Sequence, residues 1–221
     1  GIASVLGAFL LSDHAYPILP NTLNRNVQQF YQRYCPELPF MLSQALPKQD
    51  IHSITLVDTQ SVITLKGMTR QTFVYVIDHH KKKEDFNPSW NFQFVNRGAC
   101  ATYFVEQIME EGGNLSILHA TLLLLGIYED TGSLTYASTT AHDAQAVAFL
   151  LSQGASLKIA NEYLDFSLSE EQQKVLDELI KNQRLIELKK QRILISHANA
   201  EFLEEEVSSI AHKLADLYDP D

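Results

Sequence analysis

The chain has 221 residues, 45% of them apolar and 20% charged, enough for one large domain or two small ones with a real core. Lysine and arginine number 17 against 27 aspartates and glutamates, and the net charge of −10 argues against a surface that coats nucleic acid broadly. The only cysteines, Cys35 and Cys100, form no Cys-x-x-Cys pair, which excludes a disulfide scaffold and fits a reducing, cytoplasmic setting.

Ile2, Val5, Leu6, Phe9 and Leu10 follow the spacing of an amphipathic helix. That apolar stretch is too short to span a bilayer and no basic segment precedes it, so neither a membrane span nor a signal peptide is expected. Tyr16 to Pro20 predicts a short edge strand, because its prolines cannot donate to a ladder. Asn21 to Tyr34 predicts a helix with Val27, Phe30 and Tyr31 along one face, and Pro36, Pro39 and Pro47 mark irregular chain up to about residue 50. Ile54 to Asp58 reads as a buried strand ending in a carboxylate. The segment Thr59 to Thr72 is just long enough to return the chain for a parallel neighbour. That neighbour is Phe73-Val74-Tyr75-Val76-Ile77, a central strand expected to be buried on both faces, and it ends in Asp78-His79-His80.

Lys81-Lys82-Lys83 reads as a solvated loop, or as a positive run that attracts a polyanion to the strand ends. Asn91 to Val95 predicts a further strand. Arg97-Gly98-Ala99 then leads into a helix with Ala101, Phe104, Val105, Ile108 and Met109 on one face, stopped by Gly112-Gly113. The next helix, Leu115 to Glu129, is apolar nearly all round and therefore buried, and it runs into Tyr128-Glu129-Asp130-Thr131-Gly132. Thr140 with Asp143 resembles a capping box for a helix from Ala141 to Leu151. Ser169 with Gln172 is a second capping box, opening a long helix to about Lys189. Arg192 to Ser196 and Val207 to Leu217 then predict a strand and a helix. The fold expected is α/β: a parallel, Rossmann-like sheet flanked by helices over residues 1–160, connector helices over 161–190, and the start of a second α/β domain over 191–221.

Asp58, Asp78-His79-His80 and Asp130 each close a strongly apolar element. Strand carboxyl ends are where open α/β sheets bind ligands, and parallel neighbours end at the same edge. Singly, each acid is also an ordinary turn former. Together, unpaired buried carboxylates would repel one another, whereas carboxylates with imidazole suit hard or borderline divalent cations such as Mn²⁺. Two such ions about 3.5–4 Å apart would clamp a phosphoryl group and activate a bridging water. His14, His52, His119, His142, His197 and His212 show no matching partners and read as structural or surface residues.

These residues resemble the DHH phosphoesterase family. Val57-Asp58-Thr59 is similar to its second motif, Asp78-His79-His80 to its third, and Gly126-Ile127-Tyr128-Glu129-Asp130-Thr131-Gly132 to its fourth, in the family's order and spacing. The resemblance implies metal ligation by Asp58, His79 and Asp130, with Asp58 bridging two Mn²⁺ ions (Mg²⁺ is an alternative). It implies that Asp78 orients the imidazoles, that His80 faces the substrate phosphate in the chemistry, and that Arg97 and Gly98 join His80 in binding substrate. The implied activity is hydrolysis of phosphodiesters in short oligonucleotides or nucleotide derivatives. A manganese-dependent pyrophosphatase and a non-catalytic regulatory module are the alternatives.

The family's first motif, a His with an Asp-x-Asp pair, is expected upstream of Gly1, with Ser4 as its trailing serine. The substrate loop of an accessory domain of DHHA1 type is expected beyond Asp221. Residues 1–221 alone are therefore expected to bind at most one metal well and to hydrolyse little. Leu23-Asn24-Arg25-Asn26-Val27 through Leu38-Pro39-Phe40 is similar to the subgroup that joins this domain to CBS domains and a tRNA-nucleotidyltransferase or poly(A)-polymerase-like head. A homo-oligomer is compatible with all of this.

Overall fold

The computed structural model describes every residue except 21, 22, 24, 62, 63, 165–167, 189, 190, 202, 204–206 and 219–221. The protein is α/β and divides into two compact units, Gly1–Leu164 and Asp165–Asp221.

In the first unit α1 (Ile2–Leu10) leads to β1 (Ile18–Leu19), α2 (Arg25–Tyr34) and β2 (Met41–Leu42). β1 and β2 pair in parallel, so the proline-rich stretch expected to be irregular holds a short strand. Asn21 and Asn24, at the expected start of α2 and in the subgroup-like segment, lie outside the described residues. β3 (Ser53–Val57), β4 (Phe73–Asp78) and β5 (Asn91–Phe94) then form a parallel three-stranded sheet with β4 in the middle. Four helices follow: α3 (Cys100–Glu110), α4 (Ile117–Thr131), α5 (Ala141–Ser152) and α6 (Leu157–Leu164). Among the described residues no helix is long and apolar enough to cross a membrane.

β4 alternates in burial and is not covered on both faces throughout. Val74, Val76 and Asp78 are buried, while Phe73 and Tyr75 are 63% and 43% exposed. The reason is the reach of the covering layers. Leu56, Val74 and Val76 pack under Phe86, Trp90 and Phe92. On the opposite face Val57 and Ile77 pack with Cys100, Phe104 and Val5 of α3 and α1, and that cover stops short of Phe73 and Tyr75. The sheet is therefore dry where the strands end, which is where the acidic residues lie.

The main core is helical. Leu122, Leu123, Leu124 and Ile127 of α4 are fully buried against α1, α3, α5 and α6, as the all-round apolar sequence requires. A Cβ on Gly126 would overlap the Cβ of Ala3, so the glycine is what lets α4 and α1 approach closely. Met109, expected on the buried face of α3, is 37% exposed near the helix end.

In the second unit α7 (Glu170–Lys181) starts at the Ser169–Gln172 capping box. It ends eight residues before the expected Lys189, which itself lies outside the described residues. Residues Arg184–Leu188 instead form β6, antiparallel to β7 (Gln191–Ile195), and α8 (Ser208–Tyr218) follows. Leu185, Ile186 and Leu188 fit a helical continuation on spacing alone. A cross-strand partner, invisible to local periodicity, makes them a strand. Val175 and Leu176 pack with Ile210 and Leu214 as a small core of this unit.

Candidate metal centre

The parallel register Val57↔Ile77 sets the ends of β3 and β4 side by side. Asp58 follows β3 with φ of +59°, a left-handed conformation that aspartate tolerates better than most side chains, and its amide donates to the Ile77 carbonyl at 2.9 Å. That turn leaves its side chain beside His79. α4 brings Asp130 from the other direction and stops at Gly132, a left-handed C-cap with φ of +55°. The ring of Tyr136 lies where a Cβ of Gly132 would be.

His79 Nε2 is 3.4 Å from Asp58 Oδ1 and 3.9 Å from Asp130 Oδ2. Neither contact has hydrogen-bond geometry, and among the described residues this buried nitrogen has no hydrogen-bond partner. Burial opposes the charged form of Asp58, and His79 beside it favours that form. At Asp130 burial, reinforced by the charge of Asp58, pushes the pKa up to about 6. Burial lowers the His79 pKa, and Asp58, Asp130 and Asp78 overcome this so that it ends above its ordinary value. A cluster in which an acid is pushed up by burial and a neighbouring acid, and an imidazole is pushed up by the acids around it, is short of positive charge.

Ligating atoms of Asp58, Asp78, His79 and His80 lie within 4.8 Å of one another. Asp78 already uses both oxygens. Oδ1 accepts from the His80 amide at 3.1 Å and lies 2.8 Å from His80 Nδ1, and Oδ2 accepts from Gln60 Nε2 at 3.0 Å. Asp58 and His79 of this group face Asp130, whose Oδ2 is 3.9 Å from His79 Nε2. An imidazole nitrogen set between two carboxylates, without a hydrogen bond among the described residues, fits a divalent metal by donor type as well as by charge deficit. His80 stacks edge-on against His79 with ring centroids 4.2 Å apart, and its side chain is 65% exposed.

Several supporting residues escape sequence reasoning. Gln60 is buried and holds the loop after β4 at three points, donating to Asp78 Oδ2 and the Lys81 carbonyl and accepting from the Lys83 amide. Lys82 lies 4.5 Å over the ring of Phe86 and 5.9 Å over that of Phe92, so this lysine of the basic run is spent on the aromatic layer. Asp143, visible in sequence only as a cap, accepts from the amides of Gly98 and Ala99 at 3.0 and 3.2 Å and from Thr102 Oγ1 at 2.5 Å. It also accepts from the Thr140 amide and hydroxyl at 2.7 and 2.6 Å. A Cβ on Gly98 would come within 2.8 Å of Asp143 Oδ2 and 2.9 Å of Thr131 Cγ2, which accounts for the glycine. Arg97, one residue earlier, pairs with Glu106, and so does His142, which therefore does have a partner.

No family model matches the chain. It is 28% identical to an A-adding tRNA nucleotidyltransferase of Geobacter sulfurreducens, over 98% of the chain and 26% of that protein. A bifunctional oligoribonuclease and PAP phosphatase of Mycoplasma genitalium is 32% identical over 40% of the chain and 28% of its own length. The chain thus spans about a quarter of the length of these curated relatives. Among solved structures, a Methanococcus jannaschii protein assigned to the family II inorganic pyrophosphatases superposes with a TM-score of 0.55. That match covers 98% of this chain and 73% of the other at 21% identity, a likeness of fold. Asp58, Asp78-His79-His80 and Asp130, in order at one sheet edge, together with these likenesses support a domain of DHH type.

Proposed function

We propose that this domain is a divalent-metal phosphoesterase acting on the phosphodiester of a short oligonucleotide or a nucleotide derivative. The observation that carries the reading is the buried His79 Nε2, without a hydrogen bond among the described residues, between the carboxylates of Asp58 and Asp130. Those three side chains would hold the cation, with Mn²⁺ the expected metal and a second ion expected in the intact protein. Such an ion supplies positive charge for phosphoryl oxygens and acidifies a coordinated water. His80, fixed by Asp78 at Nδ1, presents an exposed imidazole edge that in its imidazolium form can donate to a phosphoryl oxygen. Asp78 keeps that ring oriented, and Gln60 keeps Asp78 in place. Arg97 adds a guanidinium just past β5, whose last residue, Phe94, pairs with Asp78.

A second reading has its own support, because the match to the A-adding tRNA nucleotidyltransferase runs nearly the whole length of the chain. In that reading the domain serves as a metal-binding module within an RNA-handling protein. One pair of measurements separates them. Titration of Mn²⁺ should show binding that Asp130→Ala weakens at least tenfold, and the full-length protein should cleave a dinucleotide in a Mn²⁺-dependent manner. Binding without cleavage leaves the module reading. Mn²⁺ affinity unchanged by both Asp130→Ala and His79→Ala would end the metal-centre assignment.

A further inference from the structure

Away from the metal cluster, a second group of ionisable side chains joins three elements. The Glu106 carboxylate, on α3, accepts from Arg97 Nε at 3.2 Å (Oε1) and 3.0 Å (Oε2), and its Oε1 lies 2.6 Å from His142 Nδ1 at the start of α5. Arg97 Nη1 donates to the Asn96 carbonyl at 2.9 Å. Among the described residues, Arg97 Nη2 and His142 Nε2 have no hydrogen-bond partner. Glu106 is largely covered, whereas His142 is about half exposed.

The position of the group matters as much as its chemistry. The Val95 amide donates to the Asp78 carbonyl and the Arg97 amide to the Val95 carbonyl, both at 2.9 Å, so the residue 97 backbone, just past β5, lies near the end of β4. On the other side, Gly98 abuts Thr131, the neighbour of Asp130. Arg97 thus stands on a loop bounded by both halves of the metal cluster. A long guanidinium free in solvent would lose rotamer entropy on gripping an anion. One already clamped by a carboxylate loses less and keeps its outer N–H groups in a fixed plane.

We propose that Arg97 and His142, both anchored by Glu106, form a binding subsite for a terminal phosphate of the substrate, with Glu106 as the positioning residue. This rests on the phosphoesterase reading and narrows it, because the favoured substrate then carries a phosphomonoester in addition to the bond to be cleaved. The anchor is an acid in a place that must accept an anion, and its role is to fix geometry; the phosphate meets the Arg97 Nη2 hydrogens and, in the imidazolium form of His142, its Nε2–H.

The test uses 5′-AMP and adenosine as paired ligands of the full-length protein in Mn²⁺, with direct titration of Mn²⁺ as a separate measurement. Arg97→Ala is expected to weaken 5′-AMP binding by at least tenfold, and Glu106→Gln by about tenfold, the loss of one charge-assisted anchor. Glu106→Asp should recover part of the loss, His142→Ala should weaken binding a few-fold, and adenosine and Mn²⁺ affinities should stay within twofold throughout. A merely structural Glu106 would be satisfied by Gln and would not separate AMP from adenosine. AMP binding that survives both Glu106→Gln and His142→Ala while falling with Arg97→Ala overturns the anchored subsite. AMP binding indifferent to Arg97→Ala overturns it as well, with the metal centre intact. Failure of Mn²⁺ itself to bind would instead strike the phosphoesterase reading.

Discussion

Replacing Asp143 with Asn should destabilise the first unit severely, although the residue touches none of the proposed metal ligands. Its side chain is fully buried and takes hydrogen bonds from five donors: three at the start of α3 (Gly98, Ala99 and Thr102) and two on Thr140. Asparagine offers one accepting oxygen and turns an N–H₂ group toward donors. Breaking a buried charged network of this kind costs about 3–5 kcal/mol. With a urea slope of about 2 kcal/mol/M, the midpoint should fall by about 1.5–2.5 M.

Trp90, the single tryptophan, lies in this unit and reports its unfolding by fluorescence. The pH dependence has a definite sign. Burial opposes the Asp143 charge, but the hydroxyl and amide donors outweigh it and leave the pKa below its ordinary value. A lowered carboxylate stabilises the fold fully above its unfolded pKa of about 3.9 and loses that contribution as pH falls through the folded value. The gap between wild type and Asp143→Asn should therefore persist from neutral pH to about pH 4.5 and close in stronger acid. A midpoint drop under about 0.5 M at neutral pH, or a gap that widens on acidification, would refute the reasoning.

Gln60→Ala leaves Asp78 Oδ2 and the Lys83 amide without their partner. A loss of about 1–3 kcal/mol is expected, with faster amide hydrogen exchange at Lys81 to Lys83 than in wild type. Unchanged exchange there would mean that the loop is held by something else. Gly126→Ala drives a methyl group into Ala3 and should cost about 1–3 kcal/mol in thermal or urea unfolding. Pairing it with Ala3→Gly should recover much of the loss, since the clash is between those two atoms.

His79 and the two flanking acids were legible because each ends an apolar element at a sheet edge or helix end, a relation that strand and helix periodicity reveals. The residues that hold them were not. Gln60 meets Asp78 across 18 positions, Asp143 meets Gly98 across 45, and Glu106 meets His142 across 36, and none carries a local pattern that would announce it. The exposed Phe73 and Tyr75 show the same limit. A β-branched and aromatic run identifies a strand, while the extent of helix laid over it decides which face is dry.

What the sequence determines by itself is most of the elements and the ordered acidic motifs, since both rest on side-chain chemistry repeated at short range. Only the tertiary structure decides that Arg184 to Leu188 is a strand, that Asp143 locks the chain after Arg97, and that Arg97 and His142 share Glu106. Each depends on a hydrogen-bond partner delivered by another element, and such a partner exists only once the chain has folded.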